Sequence, residues 1–350
     1  MRPHDHAVIV TRPSRLLAAR WVRTRFDPAA FGLAPRDRLD ATAAGPAAGP
    51  DRRAERRAVA EAAYEGRWRP AADYVRAPGS DWDERWTRLE YLAQVAGADD
   101  RWLTDWRSAE PADGDAGTLH ARLLLHRAWA VRGAAYARDV PDADMRQFQA
   151  QLPAAMAAAH RAADLAPENP GPWVVMITAA RAMSYSHSQF GDLWRGLTRR
   201  APHHTGAHHQ ALQYWCAKWH GSEELMNDFA DRAVSTAPAG SLLPGVYLHA
   251  LNERRGRRGV RSGVRNTRDR AVLADAARRL ETVPAGHEEL PRLRHLLAHR
   301  LGEAGLHAAA LEEFRRIGPY CGAAPWLTDA AGPAAAFDLA RGLAARATRG

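Results

Sequence analysis

The sequence predicts an all-α fold, an α-solenoid of stacked helical hairpins, and three observations carry that expectation. Prolines that close alanine-rich runs fall at Pro78, Pro111, Pro167, Pro202, Pro238, Pro284 and Pro319, so four of the six intervals are 33 to 36 residues long. That is the length of one helix pair with its turns. Between the prolines, apolar residues recur at spacings of three and four, which places them on one helix face. Alanine occupies many of those positions, and short helices of this kind bury their faces by stacking on one another.

Taken in order, residues 1–51 stand outside the repeats as a basic segment and an Ala/Gly/Pro linker, expected to be partly disordered. The stretch "SRLLAARWVRTRF" reads as a short basic amphipathic helix with Leu17 and Trp21 on one side, and "ATAAGPAAGP" reads as the linker. Residues 52–350 form the repeat domain, with irregular insertions expected near 112–150 and 254–268, where the proline intervals lengthen to 56 and 46 residues. The second insertion, "RRGRRGVRSGVRNTR", has no apolar periodicity and reads as an exposed loop. In "NPGPWVVMITAARAMS", Asn169 is a cap, Pro170 takes the first helical position, and Trp173, Met176, Ile177, Ala180 and Ser184 form one stripe. Its partner helix lies in "SQFGDLWRGLTRRAP". Further on, "LPRLRHLLAHRLGEAG" pairs with "LHAAALEEFRRIGP", in which Ala310, Phe314 and Ile317 recur at helical spacing.

Composition narrows the function classes. The formal charge is +9, with 48 arginines and one lysine, but the excess of Ala, Arg, Gly and Pro is what a GC-rich bacterial genome supplies through codon usage. Arginines also stand beside acidic residues over most of the chain, so nucleic acid is not the expected partner. Two cysteines, Cys216 and Cys321, are too few for a disulfide framework and point to a reducing cytoplasm. The short apolar run "AVIV" falls far below a secretory segment, and no window is long enough to span a membrane.

The period and the "A...F...P" endings resemble the tetratricopeptide repeat, although the glycine expected in the first helix is mostly missing. The stretches "AADLAPENPGPW" and "LTRRAPHHTGAHHQALQYWCAKWHGSEELMNDFA" are similar to a bacterial family of helical-repeat proteins without an established activity. That family carries a lysine-tryptophan-glycine-glycine-serine-like element followed by a methionine and a phenylalanine-alanine pair. The matching residues are Lys218, Trp219, Gly221, Ser222, Met226, Phe229 and Ala230, with His220 where the family more often has glycine. The resemblance implies a TPR-like fold and lends no reaction.

The stretch "LQYWCAKWHGS" holds the one lysine and two of the twelve tryptophans. Read as a helix over about 204–219, it sets Leu212, Trp215, Cys216 and Trp219 on one buried face. Gly221 is expected to supply a left-handed turn and Ser222 to cap the next helix, whose buried stripe is Leu225, Met226, Phe229 and Ala233. Trp173, Trp215, Trp219, Gly221, Ser222 and Phe229 are therefore assigned to structure. Lys218 has two readings: a cation complementing a helix end, or a point donor aimed into a groove beside Tyr214 and His220.

The sequence thus points to a non-enzymatic scaffold that binds a peptide or protein segment, with no cofactor and no metal. One rival is a metal-assisted enzyme using the pairs His204/His208 or His295/His299, with Glu288 or Glu289 as a third group. The pairs lack the HExxH glutamate, and neither "GRRGVRSGVR" nor "GSLLPG" has the strand setting of a phosphate loop or a nucleophile. The other rival is non-specific nucleic-acid binding through Arg254, Arg255, Arg257, Arg258, Arg261 and Arg265.

Overall fold

The computed structural model describes residues 13–46, 50–133, 139–258 and 267–349. The sixteen α-helices of this part are α1 (Pro13–Arg25), α2 (Pro50–Tyr64), α3 (Arg69–Arg76), α4 (Trp82–Ala98), α5 (Arg101–Ala109), α6 (Gly114–Arg132), α7 (Asp142–Leu165) and α8 (Gly171–Ala182), then α9 (His187–Thr198), α10 (Thr205–Trp215), α11 (Glu223–Ser235), α12 (Pro244–Arg258), α13 (Thr267–Glu281), α14 (Leu290–Glu303), α15 (His307–Ile317) and α16 (Pro333–Ala347). The fold is all-α, and successive helices pack on one another. Among the described residues, no helix is long and apolar enough to cross a membrane. The chain divides into two compact units, 49–254 and 1–48 with 255–350.

In the unit 49–254, side chains at the helix starts set the register. The Asp81 carboxylate accepts from Glu84 N, Asp113 accepts from Asp115 N and Ala116 N, and Ser186 forms a reciprocal capping box with Gln189. A first core gathers α3 to α6 around Val75, Leu89, Leu92, Trp102, Leu103 and Trp106. Helices α6 and α7 form a long hairpin, with Ala162 3.2 Å from where a Cβ on Gly117 would lie. The insertion expected near 112–150 is mostly these two helices, of 19 and 24 residues, and their length stretches the proline interval. Residues 134–138 lie outside the described ones.

Alternate helices also meet. Helix α4 packs on α6, α6 on α8 and α8 on α10, and α4 touches α10. Helix α8 is buried almost all round, not along one stripe: Val174, Val175, Met176, Ile177, Ala179 and Ala180 are each 0% exposed. Trp173 is half-buried, and Gly196 of α9 makes room for it, since a Cβ there would lie 2.0 Å from Trp173 Cζ3.

In the other unit, the described residues of the N-terminal segment are packed with the C-terminal helices. Helix α1 lies on α16, where Gly342 allows Val22 and Phe26 to approach. Asp40 N donates to Pro319 O and Cys321 N to Asp40 O, and Gly322 N donates to Ala43 O. Buried Arg341 donates to Ala34 O and to Asp338. Within the expected linker, Ala43 and Ala44 are therefore held by hydrogen bonds to their carbonyls, from Gly322 N and His295 Nε2, while Ala41, Thr42 and Pro46 are exposed. Trp21 is half-buried, whereas the side chain of Leu17 lies outside the described residues. So do the side chains of Arg255, Arg257 and Arg258, and all of residues 259–266 with Arg261 and Arg265.

Candidate functional site

Helices α4, α6, α8 and α10 line an open cavity of about 210 Å³ in the unit 49–254. Helix α4 contributes Trp86 and Glu90, α6 Arg122, Leu125, His126 and Trp129, α8 Val175, Thr178 and Arg181, and α10 Gln210. Polar and apolar groups share the lining about equally, with Glu90, Arg122, His126, Thr178, Arg181 and Gln210 facing Trp86, Leu125, Trp129 and Val175. Arg122 is neutralised within the wall, its Nε and Nη2 donating to the two oxygens of Glu90 at 2.7 and 2.6 Å.

Arg181 is not neutralised in this way. It is 8% exposed and is the one charged residue of α8, "GPWVVMITAARA". Nη1 donates to Gln210 Oε1 at 3.1 Å, and the buried Nε has no partner. Among the described residues no carboxylate forms an ion pair with it. Its guanidinium lies 5.1 Å from the ring centroids of both Trp129 and Trp219. Two such contacts return about 0.5 to 2 kcal/mol each, against a desolvation cost of several kcal/mol for a buried ion. Burial lowers its pKa to about 10, with Glu253 pulling the other way, so the group stays charged at neutral pH.

The stretch 212–222 holds this arginine in place. Helix α10 ends at Trp215, because Cys216 turns to an extended conformation with ψ 146°, so the expected continuation to 219 does not form. Trp219 consequently leaves the helix face it was expected to share with Trp215 and sits in a turn closed by Trp219 N and Gly221 N donating to Cys216 O. Its ring meets Trp129 edge-on at 6.0 Å. His220 Nε2 donates to Arg181 O at 2.7 Å, and His187 Nε2 donates to His220 O at 2.7 Å. His220 therefore binds the end of α8.

The other expected residues fall as follows. Tyr214 is 0% exposed, stacked on Phe190 at 3.6 Å, and its hydroxyl donates to Tyr185 O at 2.7 Å, so it belongs to the core and not to a groove. Lys218 is exposed at the surface and paired with Glu253 at 2.7 Å, which also accepts from Gln213 Nε2. Trp215 is half-buried against His187 and Phe190. Gly221 is not left-handed; it is needed because a Cβ would lie 1.8 Å from Trp215 O. Ser222 caps α11 by accepting from Leu225 N, Met226 and Phe229 are buried, and Leu225 is exposed at 36%.

The histidine pairs are used by the fold. His204 caps α10 by accepting from Ala207 N, and His208 Nδ1 donates to His204 O. His295 uses both nitrogens, Nε2 donating to Ala44 O and Nδ1 accepting from Trp326 Nε1. Burial lowers the pKa of His208 and His295 to about 4. His299 lies beside Glu303, and Glu289 pairs with Arg292. Among the described residues no group of three or more His, Cys, Asp and Glu is arranged to hold a metal ion. Cys216 and Cys321 are free thiols, both buried.

Sequence reasoning missed Arg181, Trp129 and the Glu90–Arg122 pair. One signal for Arg181 was available, a lone charge inside an otherwise apolar helix. It also missed a network at the helix starts, where Arg85 Nη2 donates to both oxygens of buried Asp115 and Asn169 joins Asp115 to Gly171 N. The space beside that network is about 10 Å³, too small for more than one water.

Compared with known proteins, the chain matches no family model, no curated protein and no solved structure. The fold and site define an all-α protein of sequentially packed helices, with a cavity of mixed polar and apolar lining at the meeting of α4, α6, α8 and α10.

Proposed function

We propose that the protein is a cytoplasmic, non-enzymatic interaction scaffold, a TPR-like α-solenoid akin to the helical-repeat family it resembles, whose inner helices bind a peptide or protein segment. The observation that carries this reading is the succession α4, α6, α8, α10, first helices of consecutive hairpins that line one cavity. Stacked hairpins present such a layer as a concave binding face. Support for binding over catalysis comes from the polar groups of the cavity: none is a nucleophile held beside a base, and the histidines singled out by spacing are engaged as caps and core donors. In this reading Lys218 and His220 serve the scaffold, one pairing with Glu253 and the other holding α8.

The test is capture from the source cell's lysate with a photo-crosslinker at Gln210, which lines the cavity, or at Asp192 on exposed α9. Crosslinks to one partner from Gln210 and not from Asp192 are expected. Partner crosslinks from Asp192 alone, or no partner together with a measured catalytic turnover, contradict the proposal.

A further inference from the structure

The cavity lining contains one cation, Arg181, that no carboxylate of the described residues contacts directly, although the field of Glu253 reaches it. Glu90 is matched by Arg122, and Glu253 by Lys218, but Arg181 has only a neutral amide, Gln210, and the faces of two indoles. A buried cation without a counter-ion is costly, and water alone rarely replaces what a carboxylate gives. The fold nevertheless builds this arrangement with care. Trp129 comes from α6 and Trp219 from the turn after α10, and His220 fastens the backbone of Arg181 itself. The Arg181 guanidinium lines the cavity with Nη1 on Gln210 and its buried Nε unpartnered, and a guanidinium takes a carboxylate through charge-assisted hydrogen bonds.

We propose that Arg181 anchors a monocarboxylate whose apolar body fills the cavity between Trp86, Leu125 and Trp129. This rests on the reading of the inner helices as the binding face and names what they bind. Of the two arginines that line the cavity, Arg122 is held by Glu90 and only Arg181 is left to receive an anion. The volume of about 210 Å³ is that of a compact acid or of one terminal residue, not of a long peptide. The carboxylate can therefore come from a free small acid or from the C-terminus of a protein segment, and both present the same group to Arg181.

Calorimetry and tryptophan fluorescence with a fixed panel test the proposal. The panel is 3-phenylpropionate, benzoate and hexanoate with their amides, N-acetylated tripeptides ending in Phe or Leu as free acids and as amides, and inorganic phosphate. The acids are expected to bind at least about tenfold tighter than their amides, since a hydrogen-bonded ion pair is lost in the amide. Free acids alone binding identifies a small ligand, and peptide acids binding more tightly identifies a chain terminus.

The decisive variant is Gln210→Glu, which places a carboxylate of the same shape beside Arg181. It should raise Tm and abolish acid binding together, whereas a purely structural arginine would give the first change only. Arg181→Met, with its melting checked, should lose the preference for acid over amide. Equal binding of acids and amides, no binding of any acid, phosphate binding above all the acids, or acid binding that survives Gln210→Glu overturns the proposal. A partner that still crosslinks to Gln210 after such a failure leaves the scaffold reading standing and removes only the anchor.

Discussion

Replacing Gly221 with alanine tests the turn that carries Trp219 and His220. The added Cβ would lie 1.8 Å from Trp215 O, 2.3 Å from its carbonyl carbon and 2.7 Å from its Cα. All three are backbone atoms at the end of α10, so no rotamer change relieves the overlap. The turn must move by more than an ångström, and the hydrogen bonds from Trp219 N and Gly221 N to Cys216 O go with it. Overpacking costs about 1 to 3 kcal/mol where side chains can adjust, and each lost hydrogen bond adds about 1 kcal/mol. The expected destabilisation is about 3 kcal/mol or more, a fall in Tm of roughly 6 to 12 °C for a unit of this size. Thermal and urea unfolding measure it, and tryptophan emission reports Trp219 leaving Arg181. A loss of less than about 1 kcal/mol would refute the reasoning, because the close approach would then not be real.

Three further outcomes follow from the same contacts. Gly302 lies inside α14 with open space where a Cβ would go, so Gly302→Ala should stabilise by about 0.5 to 1 kcal/mol in urea unfolding, and a loss would contradict the described helix. Lys218→Arg and Lys218→Ala should each stay within about 1 kcal/mol of wild type in melting, since the pair with Glu253 is partly solvated, with Lys218 at the surface, and an effect above about 2 kcal/mol would be inconsistent with that solvation. Burial lowers the pKa of His208 and His295 to about 4 and of His249 to about 3, below the unfolded value of about 6.5. The unfolded chain then binds more protons below about pH 6.5, so stability is intact above that pH and is lost as pH falls toward 4; a Tm unchanged between about pH 7.5 and 5 would oppose this.

Much of the local structure was legible because it is written in short-range chemistry. Ser222 caps its helix, and Ala310, Phe314 and Ile317 share one buried face, while Asn169 sits one residue ahead of its expected place: Pro170 is the N-cap of α8 and Asn169 Oδ1 accepts from Gly171 N. The i, i+4 spacing of Trp215 and Trp219 misled for a physical reason. A spacing rule assumes that the helix continues, whereas Cys216 leaves it and the turn folds Trp219 toward α6 and α8. The sequence places Tyr214 in the groove only as a neighbour of Lys218, whereas in the fold its ring stacks on Phe190 and its hydroxyl donates to Tyr185 O. The candidate site was scarcely legible. Trp129, Arg181 and Trp219 are brought together by tertiary packing, and only the solitary charge in α8 marked one of them.

The central claim is that α4, α6, α8 and α10 form the recognition face. Hydrogen–deuterium exchange on the protein with and without its crosslinked partner tests it most directly. Protection is predicted in Trp82–Ala98, Gly114–Arg132, Gly171–Ala182 and Thr205–Trp215, strongest around Arg181, with His187–Thr198 and Glu223–Ser235 unchanged. Protection confined to those last two helices, with the four inner ones exchanging as in the free protein, would contradict the account.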